Sequence, residues 1–110
     1  MKTIVRFALV ATFTLSAGHA FAQDAAKGKQ VFTDQKCNLC HSITGQGNKK
    51  GPLDDVASKI SAADMRGWIT DAPTMAEKAK ADRKPPMKAY TDLSKADVDN
   101  LIAYLQSLKK

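Results

Sequence analysis

Read for period, the chain shows stretches with apolar residues at helical spacing, separated by segments that turn residues and prolines interrupt. Asp24 stands where it can cap a first helix running to about Asp34, with Val31 and Phe32 on its buried side and Gly28 as a thin spot. Ser61-Ala62-Ala63-Asp64 reads as a second helix start, and Met65, Trp68 and Ile69 recur on one face until Pro73 stops the run. Thr74-Met75-Ala76-Glu77 is another capping pattern, opening a short charged helix to about Arg83. Lys84-Pro85-Pro86-Met87 is expected to be extended, because each proline pushes its predecessor out of the helical region. Ser94-Lys95-Ala96-Asp97 opens a last helix with Val98, Leu101, Ile102, Leu105 and Leu108 on one stripe, closing on Lys109 and Lys110. Nothing alternates with period two over a useful length. The pattern predicts an all-α domain of about four helices.

The first 22 residues have a different character. A basic start, Met1 to Arg6, precedes a mostly apolar, uncharged run from Phe7 to Ala17, and Ala20-Phe21-Ala22 is a small-x-small cleavage signal. Residues 1–22 are therefore expected to be a secretory signal peptide, too short in its apolar part to span a bilayer, which takes about 20 such residues. Residues 23–110 then form one domain of 88 residues, with no repeat, linker or low-complexity tract. Only 34 of those residues are apolar, and 12 of the 34 are alanine, so the core is thin for a domain of this size. Removing the leader takes away Lys2 and Arg6 and leaves a net charge of +4. Residues 23–52 and 77–88 each carry +3, and the rest sums to −2.

The chemistry concentrates in Cys37-Asn38-Leu39-Cys40-His41. Two thiols three residues apart, followed at once by a histidine, is the spacing of covalent haem attachment. Each thiol can add across one vinyl group, and the next residue projects an imidazole at the iron. Other readings of a Cys-x-x-Cys pair are a redox disulfide, half of a zinc site, or a plain structural bridge. Zinc wants four ligands, and only Cys37, Cys40 and His41 remain once His19 leaves with the leader. A thioredoxin-like dithiol follows a strand, and no strand pattern lies nearby. The turn-rich run from Ser42 to Pro52, with Gly45, Gly47, Asn48 and Gly51, is a long loop of the kind that wraps something.

These residues resemble class I cytochrome c, the small monohaem electron carriers. The likeness rests on Cys37 to His41, Gly51-Pro52, Trp68, Pro86-Met87 and the closing helix from Leu93 to Leu108. It implies a small cytochrome c fold, with helices wrapped around one haem c held through Cys37 and Cys40. It also implies a close crossing of the first and last helices, where Gly28, Phe32 and Tyr104 stand. The family takes its sixth iron ligand from a methionine on a loop before the last helix. Met65 shares a helical stripe with Trp68 and Ile69 and reads as core, and Met75 lies at a helix start. Met87 follows two prolines in a stiff extended segment, so His41 and Met87 are the expected iron ligands. By the same resemblance the Pro52 carbonyl accepts the second imidazole proton, and Trp68 flanks a haem propionate. Leu39, Leu53, Tyr90, Leu101 and Leu105 are the expected apolar contacts. The chain departs from the family pattern where Asp55 replaces a common glycine and where Lys88 follows Met87.

The resemblance implies a periplasmic electron carrier, not an enzyme, cycling iron between its ferric and ferrous states. A haem relay subunit of a larger oxidoreductase, or a haem enzyme or gas sensor with a labile sixth ligand, are the alternatives. Lys36, Lys49, Lys50, Lys84 and Lys88 are expected to ring the haem edge and dock acidic redox partner proteins. Nucleic acid and stable membrane insertion are not expected, and the mature chain is expected to be a monomer.

Overall fold

Asp24 opens α1 (Ala25–Asp34) by accepting hydrogen bonds from the backbone N–H groups of Ala26 and Lys27, at 2.9 and 3.1 Å. The computed structural model describes residues 24–110, and the expected leader at 1–22 lies outside the described residues. Gly28, Val31 and Phe32 form the buried face of α1. The helix closes at Gln35, and Lys36 turns the chain with a φ of 55°. The Cys37-Asn38-Leu39-Cys40-His41 run thus opens as a separate 3₁₀ turn, Cys37–Leu39, distinct from α1.

The loop that follows does wrap that turn. Its start is a small hairpin, β1 (Ser42–Ile43) and β2 (Gln46–Gly47), which period-two reasoning could not register because each strand is two residues long. Thr44 and Gly45 join the strands with φ values of 48° and 76°, the positive pair a tight hairpin turn requires. Asn48 then ties the loop to the turn, its N–H reaching the Asn38 and His41 carbonyls and its side chain the Leu39 carbonyl. Past Pro52 the chain makes one further short helix, α2 (Val56–Lys59).

Ser61 caps α3 (Ala62–Thr70), its side chain accepting the Asp64 N–H at 3.1 Å. The expected boundary with the next helix is corrected here. Pro73 does not stop α3 but sits in the first turn of α4 (Ala72–Ala79), where its missing N–H costs nothing and its fixed φ suits the helix. The helix ends at Lys80 in the left-handed region, short of Arg83. Ser94 caps α5 (Lys95–Gln106) through the Asp97 N–H. Lys109 and Lys110 lie beyond its end, so they do not serve its C-terminus as expected; the Lys110 N–H is bonded instead to Asp55, at 2.9 Å. The described part therefore has five α-helices where about four were expected, the addition being the single turn of α2. Among the described residues, no helix is long and apolar enough to cross a membrane.

Packing centres on the crossing of α1 and α5. A Cβ at Gly28 would collide with the Asn100 backbone carbonyl, so glycine lets the two helices meet backbone to backbone. Phe32 and Tyr104 lock the crossing edge to face, with ring centroids 5.9 Å apart. Met65, Ile69, Val98, Leu101 and Ile102 are almost fully buried beside it. Arg66 and Lys95 both pair with Asp99, which joins α3 to α5 at the surface.

Candidate haem site

The core does not close on itself. It lines an apolar cavity of about 280 Å³ between α1, α3, α5 and the segment after α4. Cys37, Cys40 and His41 enter the wall from the 3₁₀ turn, and Met87 enters it from the proline segment. Leu53, Trp68, Tyr90, Leu101 and Leu105 also line it, as does Phe32. Met65 lines it too while remaining 1% exposed. Met75 lies elsewhere, its sulfur packed where a Cβ at Gly67 would stand 2.7 Å away.

His41 is held by one carbonyl. Its Nδ1 lies 3.1 Å from the Gly51 oxygen. A carbonyl can only accept, so Nδ1 carries the proton and the Nε2 lone pair is left for a ligand. Burial pushes the imidazole pKa below its ordinary value, against the opposing Gly51 bond, and the Arg83 charge lowers it further. The ring is therefore neutral, the form that binds a metal.

The acceptor corrects the expectation of Pro52. Ser42 pairs with Pro52 in a parallel bridge, donating to the Gly51 carbonyl at 3.0 Å and accepting from the Leu53 N–H at 2.9 Å. In that pattern the groups flanking Pro52 face the partner, so its own carbonyl points away. Pro52 is exposed and is not among the cavity-lining residues. Leu39 needs the same correction as an apolar contact. It is 67% exposed, because the middle positions of the attachment turn face outward when both cysteines face in.

No disulfide joins Cys37 to Cys40, and burial pushes Cys37 up to about 11. A redox dithiol works through a thiol of lowered pKa, so the direction at Cys37 speaks against the thioredoxin-like reading. One residue escaped sequence reasoning except as part of a positive segment. Arg83 lines the cavity and donates to the Cys40 carbonyl at 2.5 Å, across 43 positions of sequence. Its signal was present: it is one of three arginines among fourteen lysines, and arginine is the cation suited to fixed, forked hydrogen bonding.

A helical domain whose cavity gathers a Cys-x-x-Cys-His turn, a histidine with a free Nε2 and a loop methionine defines a haem-attachment protein. The model of the cytochrome c family matches residues 25–109. The chain belongs to the cytochrome c family. It is 30% identical to cytochrome c-555 of Chlorobaculum tepidum over 110 residues, the whole of both chains. It is also 33% identical to cytochrome c oxidase subunit 2 of Alkalihalophilus pseudofirmus over 94 residues. That match takes in 77% of this chain but spans only 26% of the oxidase subunit. Family membership implies a c-type haem, and the residues present fit one, since thiols, imidazole and thioether meet at one apolar cavity.

Proposed function

We propose that the chain is a one-electron carrier holding one haem c covalently through Cys37 and Cys40, with His41 and Met87 as axial ligands. The observation that carries this reading is the meeting of those four side chains at one apolar cavity. Bound there, the haem supplies an iron centre that alternates between ferric and ferrous states. Gly51 fixes the His41 ring and raises its basicity as a ligand. Phe32, Leu101 and Leu105 keep water from the cavity and favour the less charged ferrous state. The Met87 thioether works in the same direction. With His41 and Met87 both holding the iron, no coordination position would be left for a substrate, which supports transfer and not turnover.

Export to the periplasm is supported by the basic start, apolar run and cleavage signal of residues 1–22. Docking of an acidic redox partner is supported by Lys36, Lys49, Lys50, Lys84 and Lys88, all exposed. Lys88 lies over the ring of Tyr90, 4.9 Å from its centroid, and Tyr90 lines the cavity. The relay-subunit reading draws on the likeness to the oxidase subunit. Purification of the chain as one component of a stable oxidoreductase complex would favour it over a free shuttle.

The test is a visible and near-infrared spectrum of the purified protein and three variants. We expect thioether-linked, low-spin haem with a methionine–iron band. Met87→Ala loses the band, turns the ferric protein partly high-spin and lowers the potential. Met65→Leu and Met75→Leu keep it, since leucine conserves volume at a cost usually below ~1.5 kcal/mol. Ligation lost in Met75→Leu and kept in Met87→Ala would overturn the ligand assignment.

A further inference from the structure

The segment that carries Met87 is secured at its two ends by backbone bonds, Ala81 N–H to Ala76 at 2.9 Å and Tyr90 N–H to Ile69 at 2.8 Å. Between those anchors, residues 82–89 make no backbone–backbone hydrogen bond among the described residues. Two prolines remove donors from the middle of the segment. The hydrogen bond found there is the one from Arg83 Nη2 to the Cys40 carbonyl, 2.5 Å long. The guanidinium also packs on Gly51, where a Cβ would collide with Nη1 and with the Cys40 carbonyl. Gly51 is the residue whose carbonyl holds His41. One side chain, four positions before Met87, thus touches both the attachment turn and the support of the opposite ligand.

We infer that Arg83 is a positioning residue, a latch that holds the methionine segment against the haem-attachment turn and so keeps Met87 at the sixth iron position. The inference rests on the reading of Met87 as that ligand. Arginine suits the role because its charge does not titrate away and its fork can hold a carbonyl while stacking flat on a glycine. The absence of a Cβ at Gly51 makes the seat for it. The latch has a thermodynamic consequence. An outside ligand reaches the iron only in the fraction of molecules with the segment open, so its apparent dissociation constant varies inversely with that fraction.

The experiment measures imidazole binding to the ferric, haem-loaded protein in wild type, Arg83→Met and Arg83→Lys. Methionine keeps the apolar stem against the cavity and removes the donor. Loss of a hydrogen bond from a charged group to a carbonyl is expected to open the segment about ten-fold more often, so imidazole binds Arg83→Met about ten-fold more tightly. Arg83→Lys, which keeps the charge without the fork, is expected to fall between the two. The methionine–iron band in Arg83→Met is also expected to vanish at a lower pH than in wild type. A merely structural role would lower the thermal midpoint without this gain in imidazole affinity, and that result overturns the inference. If Arg83→Met does not load haem, the lysine variant decides: tighter imidazole binding supports the latch, and unchanged binding overturns it. The underlying reading fails separately, through a wild-type spectrum with no methionine–iron band.

Discussion

Replacing Gly28 with alanine tests whether the α1–α5 crossing is as tight as its backbone contact implies. On an exposed helix the change would help, by about 1 kcal/mol of helix propensity. At Gly28 the new methyl group would collide with the Asn100 carbonyl and stand 2.7 Å from the Tyr104 Cβ. Neither obstacle is the end of a flexible side chain, so the helices must move apart. That separation loosens the Phe32–Tyr104 contact and strains the bond from the Asp24 N–H to the Asn100 side chain, 2.9 Å long. Overpacking costs typically 1–3 kcal/mol, and a backbone obstacle places this case near ~3. Subtracting the propensity gain leaves a net loss of about 2 kcal/mol. For a domain of this length that lowers Tm by roughly 10 °C. Thermal unfolding of the haem-loaded protein, followed by far-UV circular dichroism, reads the shift. Because Phe32 also lines the haem cavity, the Soret band is expected to broaden before the helical signal falls. A Gly28→Ala protein as stable as the parent, or more stable, would refute the reasoning, since propensity would then outweigh the crossing.

The paired change Cys37→Ser and Cys40→Ser is expected to abolish covalent haem and leave the chain largely unfolded, because Phe32, Met65, Leu101 and Leu105 turn apolar surface toward the cavity. A well-folded, haem-free double variant by circular dichroism would sink that expectation. Electron exchange with an acidic partner is expected to slow as salt rises, and reversing the charge of Lys49, Lys50, Lys84 and Lys88 to remove most of that dependence. An unchanged salt slope in stopped-flow kinetics would leave those lysines with solubility alone. Asp99 is held below its ordinary carboxyl range by Lys95 first and Arg66 second. Its folded pKa lies below the unfolded one, so the stabilisation is present at neutral pH and fades as pH falls through the acid range. Asp99→Asn is therefore expected to flatten the acid limb of a urea-unfolding series, and an unaltered limb would show that the pairs contribute nothing.

What the sequence determined by itself is what local chemistry can encode. Asp24, Ser61 and Ser94 open the helices expected of them, because a cap acts on N–H groups two or three residues away. The all-α class, the stripe of α5 and the family followed from such short-range signals, together with one motif of five consecutive residues. Local signals failed where two were in conflict, as at Pro73, which is equally a stop for one helix and a first-turn residue of the next. Tertiary structure alone decided the contacts between distant segments. The parallel bridge of Ser42 with Pro52 turns the Gly51 carbonyl toward His41, and a register set by two segments cannot be read from either. Leu39 points outward because Cys37 and Cys40, on either side of the middle of the turn, both face in. Arg83 meets Cys40 across 43 positions because the fold lays the methionine segment beside the attachment turn. Hydrogen bonds and close contacts depend on distance in space, and the chain order of these residues carries no measure of it.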